Sequence, residues 1–444
     1  MGLGSSKEVK GKPVVIIVGA GYGGVKVAKK LDKNADFNVV IIDRKNYFLH
    51  NIAMLRAVAV DDWEKKCLIP YDKVLKYGSV VQGEVISVSE DCKSIKVNGR
   101  EEEIKCDYLV LATGSSYAFP AKVALPEKKD VPKMYKDLRE ITKKAMNISV
   151  IGGGAVGYEL VVELAHYMKD TDKKFTLIHS GDKIASATNM SEKFKDRALA
   201  ALAKFKNIKV MLGERVTDFG ETETAEEGKN EEKDKKTKAK HMTFLAGKRT
   251  LKTQKGTEIE TDLVFFCMGT KVNNASFKNL PKTAEGRLEV NDFLQIKDKT
   301  TAFALGDCAD IEGKMGYFAT IQADTVAKNI YALEKKKKLT AYKKQRPAMF
   351  LNTGPVGGVA QLGPLHLGDM VVRFAKAKDL FVSQYWPQLN QNIKKPTKGA
   401  TEERRKKSIL SLENAMNLTE EQAKEIQEKG LGNEKKIQPD QINT

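Results

Sequence analysis

Two glycine clusters, about 130 residues apart, constrain this chain more than any other feature. The first, Gly19-Ala20-Gly21-Tyr22-Gly23-Gly24, follows the β-branched run Val14–Val18. It leads into a helical pattern in which Val25, Ala28 and Leu31 recur at intervals of three, and then into the apolar run Val39–Ile42, which ends at Asp43. Strand, glycine turn, helix, strand is one βαβ unit. The order returns at Ile148–Ile151, Gly152-Gly153-Gly154-Ala155-Val156-Gly157, a helix through Leu160, Leu164 and Tyr167, and Phe175–Ile178. A duplicated unit of this kind predicts an α/β protein with two Rossmann-like dinucleotide-binding domains.

The spacing has a physical reason. In Gly19-x-Gly21-x-x-Gly24 the first glycine permits the tight turn, the second lets a pyrophosphate approach the backbone, and the third lets helix and strand pack closely. The helix N-terminus then stabilises the phosphate charge. Asp43, at the end of the second strand, is placed to accept hydrogen bonds from a ribose diol. The second cluster, Gly152-x-Gly154-x-x-Gly157, has the same spacing, but its second strand ends Ile178-His179-Ser180. Without a carboxylate there, nothing repels a 2′-phosphate, so NADPH is expected to compete with NADH. Glu159, on the first turn of the helix, reads either as a group facing the nicotinamide or as a surface acid favoured by the helix dipole.

Composition narrows the class. A hydrophobic content of 41% excludes a wholly disordered chain, and 30% charged residues with a mean hydropathy of −0.41 argue against a polytopic membrane protein. No stretch of 18 apolar residues exists. The five cysteines (67, 92, 106, 267 and 308) form neither a C-x-x-C pair nor a metal-ligand set, which suits a reducing compartment. Met1-Gly2-Leu3-Gly4-Ser5-Ser6 fits the myristoylation pattern, with Gly2 as acceptor. The formal charge is +18, and residues 331–400 alone carry 13 basic against 3 acidic side chains, including Lys335–Lys338. That block suits anionic lipid or nucleic acid, or simply a solvated helix end. Residues 221–240 read as a charged loop between strands, and the chain beyond Lys394 as a partly disordered tail.

Asp107–Gly114 reads as a buried strand ending in Ala-Thr-Gly, and Thr301–Asp307 as another with its acid at the tip. With Thr257–Gly269, these segments resemble the two-dinucleotide-binding-domain FAD/NAD(P) flavoproteins. The resemblance implies tight, non-covalent FAD on Gly19, Ala20, Gly21, Tyr22, Gly23, Gly24, Asp43, Thr113, Gly114 and Gly306, with Asp307 on the ribitol. It places NADH or NADPH on Gly152, Gly154 and Gly157. Disulphide reductases of this family carry a redox cysteine pair after the first βαβ unit; Asp43–Arg56 holds none, so a dithiol relay is excluded.

Within that family the chain is similar to the ferroptosis-suppressor, apoptosis-inducing-factor-like group. The likeness is carried by Asp43-x-Lys45-x-x-Phe48-x-His50-Asn51-x-Ala53-x-Leu55-Arg56, Phe119-Pro120-x-Lys122, Leu177–Ser180, Gly306–Asp310 and Asp379–Ser383. It implies FAD contacts from Arg56 and Val85. The implied substrate is a ubiquinone-type membrane quinone, reduced to a quinol that protects lipids from peroxidation. The implied setting is the cytoplasmic face of the plasma membrane, lipid droplet or mitochondrial outer membrane, with part of the protein cytosolic. The implied order is a flexible, myristoylated start (1–12), the FAD domain in two parts (13–144 and 276–334), an NAD(P) domain (145–275), a small C-terminal α+β domain (335–395) and the tail (396–444).

Three further residue sets stay open. His50 reads as a proton donor or as a packed or capping residue, and Lys122 as a flavin or phosphate partner or as a solvated lysine. Phe350 and Phe381 read as a quinone pocket or as domain core. Met315, Tyr317 and Phe318 are expected to begin the helix after Asp307, whose N-terminus favours negative charge on a reduced flavin. The competing classes are a redox-sensing flavoprotein that binds DNA weakly and non-specifically in apoptosis signalling, and an NADH oxidase that produces peroxide.

Overall fold

The computed structural model describes residues 11–185, 189–221 and 244–392. The expected myristoyl site Gly2, together with Lys7 and Lys10, lies outside the described residues, as do most of the 221–240 loop and the tail beyond 392.

Each glycine cluster follows an internal strand of its own sheet. In the first, the strands run Ala302–Ala304, Tyr108–Leu111, Val14–Val18, Asn38–Asp43 and Ser79–Gln82, all parallel. Val14–Val18 is apolar throughout because a central parallel strand is covered on both faces. The helix Tyr22–Asp32 packs beside the helix Gly316–Glu334 through Val27, Ala28, Leu31, Ala323, Ala327 and Ile330. Met315 caps that second helix, so Tyr317 and Phe318 stand on its first turn as expected.

The second sheet has parallel strands Ile208–Leu212, Lys174–His179, Asn147–Ile151 and Glu258–Phe266, then antiparallel Phe244–Thr253 and Val216–Asp218. The strands on either side of the charged loop therefore pair with each other. The chain passes between the two sheets twice, and the passing segments Ser115–Ser116 and Lys271–Val272 pair antiparallel. A third, antiparallel sheet, Ala348–Asn352, Gly358–Leu362 and Leu365–Leu367, is followed by the helix Asp369–Val372, a π-helical turn Arg373–Ala377 and the helix Val382–Gln388. Val85 lies on Val85–Val88 of a separate antiparallel sheet, buried in the core beside the first parallel sheet.

Candidate functional site

The two glycine turns are copies of one geometry. Gly19 N–H donates to the Ile42 carbonyl and Gly152 N–H to the Ile178 carbonyl, each at 2.8 Å. Gly19 and Gly152 sit at φ +103° and +113°, the left-handed region that L side chains avoid, and a Cβ on either would overlap the carbonyl of Ala112 or Cys267. A Cβ on Gly24 would overlap the Gly19 carbonyl, and one on Gly157 the Gly152 carbonyl. Gly21 and Gly154 differ: a Cβ there would meet no protein atom within 4 Å. Nothing in the fold requires glycine at these two positions, whereas a phosphate resting on the backbone does. Both turns thus fit a dinucleotide.

The strand ends distinguish the two copies. Ala20 N–H donates to Asp43 Oδ2 at 2.6 Å and Lys45 N–H to Oδ1 at 2.8 Å, which hold the carboxylate at the ribose position of the first turn. Burial beside Asp43 lowers the Lys45 ammonium to about 8. In the second copy Gly153 N–H donates to His179 Nδ1 at 3.1 Å, so an imidazole occupies the slot of the acid. The ring also hydrogen-bonds the Lys183 backbone, and burial lowers its pKa, which keeps it neutral.

At the far end of the first sheet, Asp307 stands on the turn Gly306–Cys308. Ser115 O–H donates to Asp307 Oδ2 at 2.6 Å. Lys122 Nζ donates to the Ser115 carbonyl at 2.7 Å and to Ser115 Oγ at 2.9 Å, and lies 3.7 Å from Asp307. Lys122 is therefore not a solvated lysine. Desolvation lowers its pKa and Asp307 opposes the shift. Gly306, at φ +74°, turns its N–H to Gln322 Oε1 at 2.7 Å, and Thr113 Oγ1 meets Asn274 Oδ1 at 3.3 Å. The strand ends at Leu111, earlier than expected, and Gly114, at φ +64°, lies in the turn after it.

Glu159 is no surface acid. It is buried, its carboxylate paired with the ammonium of Lys376 from the π-helical turn, while Asn352 N–H reaches it at 3.4 Å. Burial raises its pKa and Lys376 opposes the rise. Lys376 donates as well to the Phe350 carbonyl at 2.9 Å. One turn further along, Glu163 accepts from Arg56 Nε at 2.8 Å, from Arg56 Nη2 at 2.9 Å and from Asn352 Nδ2 at 2.7 Å. Arg56 also donates to the carbonyls of Ala377 and Lys378. Its buried guanidinium thus ties the second dinucleotide helix to the C-terminal segment.

Of the two readings of His50, the geometry favours the packed residue. It is fully buried before the short helix Asn51–Val58. The Leu380 carbonyl, 2.7 Å from Nε2, can only accept, so Nε2 carries the proton and Nδ1 accepts from Tyr22 O–H at 3.0 Å. Desolvation lowers its pKa to about 4, so the ring is neutral at pH 7. Phe350 is half-buried on its strand, and Phe381 is half-buried at φ +63°, on the chain that follows Lys376. Sequence reasoning missed Lys376, Glu163, Ser115 and Gln322. Lys376 and Glu163 meet their partners only from elements remote in sequence, whereas Ser115 joins nearby Lys122 to distant Asp307 and Gln322 reaches back to Gly306.

A model of the family described as pyridine nucleotide-disulphide oxidoreductase matches residues 13–328. The chain is 35% identical to apoptosis-inducing factor homolog B of Dictyostelium discoideum, over 85% of this chain and 97% of that protein. It is 30% identical to ferroptosis suppressor protein 1 of Homo sapiens, over 88% of this chain and all of that one. Among solved structures, the sulfide:quinone oxidoreductase of Aquifex aeolicus superposes with a TM-score of 0.66 at 17% identity, covering 86% of this chain and 93% of its own. The NDH2 of Plasmodium falciparum in complex with NADH superposes with a TM-score of 0.64 at 14% identity, covering 90% and 97%.

Proposed function

This chain belongs to the pyridine nucleotide-disulphide oxidoreductase family as an NAD(P)H-dependent oxidoreductase with FAD, and from that premise we propose that it reduces a ubiquinone-type quinone of the membrane. When bound, FAD supplies the chemistry of taking a hydride from NAD(P)H and passing two electrons onward. The Gly19–Gly24 turn, Asp43 and Asp307 hold it, with Lys122 beside Asp307. The Gly152–Gly157 turn and His179 receive the nicotinamide nucleotide.

One observation carries the choice of acceptor. All five cysteines are free and buried, and desolvation pushes the thiols up, to about 12 at Cys106 and Cys267. None is a thiolate at pH 7, so no cysteine pair relays the electrons, and the reading takes a small organic acceptor in its place. Phe350, whose carbonyl accepts from Lys376, and Phe381, on the chain that follows Lys376, are the apolar side chains assigned to the quinone in this reading. In this reading the buried Lys376–Glu159 pair is the proton source for the reduced product. The human relative's name, ferroptosis suppressor protein 1, agrees with a product that quenches lipid radicals. Among the described residues no helix is long and apolar enough to cross a membrane, so this reading rests on peripheral attachment through an acyl chain on Gly2 and basic side chains. NADH oxidation measured with a short-chain quinone tests the reading: the quinone should accelerate turnover many-fold, and turnover that depends on oxygen alone, with peroxide as product, would overturn it.

The imidazole in the acid slot gives a second expected result. NADPH should compete with NADH within roughly tenfold, about 1.4 kcal/mol. His179→Asp places a carboxylate where a 2′-phosphate would lie, and should lower kcat/KM for NADPH about tenfold or more while sparing NADH. Equal losses for both nucleotides would show that His179 only supports the loop.

A further inference from the structure

The segment Asp369–Ala377 has two unlike faces. Inward, Val372, Lys376 and Ala377 are buried, and Lys376 reaches Glu159 and the Phe350 carbonyl. Outward, Met370 is 74% and Phe374 69% exposed, the two most exposed large apolar side chains among the described residues. Val371 stands beside them. The turn that carries Val356, 52% exposed, is pinned to the same segment, because Gly358 N–H donates to Asp369 Oδ1 at 2.9 Å. No packing among the described residues covers these side chains.

Cations ring the apolar tips. Arg373 and Lys378 are exposed on the segment itself. The neighbouring helix Glu192–Leu202 and the residues after it bring more: Lys204 pairs with Asp369 at 3.0 Å, Arg197 lies against Gly368, and Lys193 and Arg197 both act on His366. Apolar tips within a basic ring complement an anionic lipid surface, with the tips entering the acyl boundary and the cations meeting phosphates. A second copy fits less well. A two-fold contact through this patch would set Arg373, Lys378 and Lys204 against their own images.

We propose that Met370, Val371, Phe374 and Val356 form a lipid-docking face that seats on an anionic bilayer. The inference deepens the quinone reading and rests on it for its purpose. The docked segment is the one whose inner face holds Lys376, so docking sets the Phe350 and Phe381 side chains close to the layer in which a long-tailed quinone is dissolved.

The test uses full-length protein carrying Gly2→Ala, so that no acyl chain can mask the face, and flotation with vesicles of phosphatidylcholine alone or mixed with phosphatidylserine. The parent should float with the mixed vesicles. Met370→Asp with Phe374→Asp should weaken that binding about tenfold, and Arg373→Glu should remove part of its salt-sensitive component. Activity on a water-soluble quinone should stay unchanged in all of them, because none of these side chains touches Lys376 or Glu159. Flotation that the substitutions leave unchanged would overturn the proposal. So would a dimer of the parent that the substitutions dissociate without altering flotation. A parent that floats as expected but fails to reduce any soluble quinone would sink the quinone reading and leave the docking face standing.

Discussion

Gly21→Val should yield a folded but colourless protein, whereas Gly24→Val should fail to fold its first domain. Both residues belong to the same hexapeptide turn and both bury little side-chain volume, so composition alone would treat them alike. The geometry separates them. At Gly24 the added Cβ would overlap the Gly19 carbonyl, a backbone atom that cannot move without opening the turn, and overpacking of this kind costs several kcal/mol, roughly 1–3 per misplaced group and more against backbone. At Gly21 the backbone is extended, at φ −77°, and no protein atom lies within 4 Å of the added Cβ. The apoprotein should therefore keep its melting temperature within a few degrees. The loss falls on the cofactor, because valine methyls would occupy the approach of the pyrophosphate. Flavin absorbance near 450 nm and a thermal melt, recorded side by side, give the readout. A yellow Gly21→Val protein would show that the open space at Gly21 is not where the cofactor rests.

The second large effect is expected at Lys376. If the proposed role holds, Lys376→Met should lower kcat about a hundredfold, the order of loss when one preorganised hydrogen-bond donor is removed from an active site, while flavin is retained. The same change leaves Glu159 buried without its counter-charge, and breaking a buried pair costs about 3–5 kcal/mol of stability. Glu159→Gln should be similarly destabilising for the mirror reason. The double variant Lys376→Met with Glu159→Gln separates the two roles. Replacing both charges removes the desolvation penalty, so stability should return toward the parent. Activity should not return if the ammonium serves the reaction. Recovery of both together would assign the pair to domain docking alone, alongside Arg56 and Glu163. The pH profile adds an independent readout. Glu159 is raised by burial and held down by Lys376, so removal of Lys376 moves its pKa further up, and any limb of the rate profile that reports it should shift to higher pH.

Much of the site was legible because its chemistry is local. A strand, a glycine turn and a helix N-terminus lie within some twenty consecutive residues; the helix opens with Val25 N–H on the Gly21 carbonyl at 3.0 Å, and the turn's own N–H groups reach no further than the next strand, at Ile42 and Asp43. The acid that completes the first turn is found by the same arithmetic, since Asn38–Asp43 is the next strand. His179 was equally visible as a missing acid, although the sequence did not say that its ring would take over the hydrogen bond from Gly153. Single polar side chains were harder. His50 stayed open between proton donor and packed residue because one histidine near a cofactor motif carries no mark of its burial. The Leu380 carbonyl that fixes its tautomer lies 330 positions away in the chain.

The amino-acid sequence by itself determined the two dinucleotide folds, their order and the positions of the open glycines. Periodicity, turn stereochemistry and strand-end acids act between residues close together in the chain, where the backbone leaves few alternatives. Only the tertiary structure decided the fate of the charged groups. Glu159 and Glu163 are two carboxylates one turn apart on an otherwise apolar helix, and either could have faced water. They became a catalytic candidate and a docking residue because folding brought Lys376 and Arg56 to them from opposite ends of the chain. A buried charge is tolerable only with its partner in place, and which partner arrives is set by how the sheets and the C-terminal segment pack, not by the residues on either side.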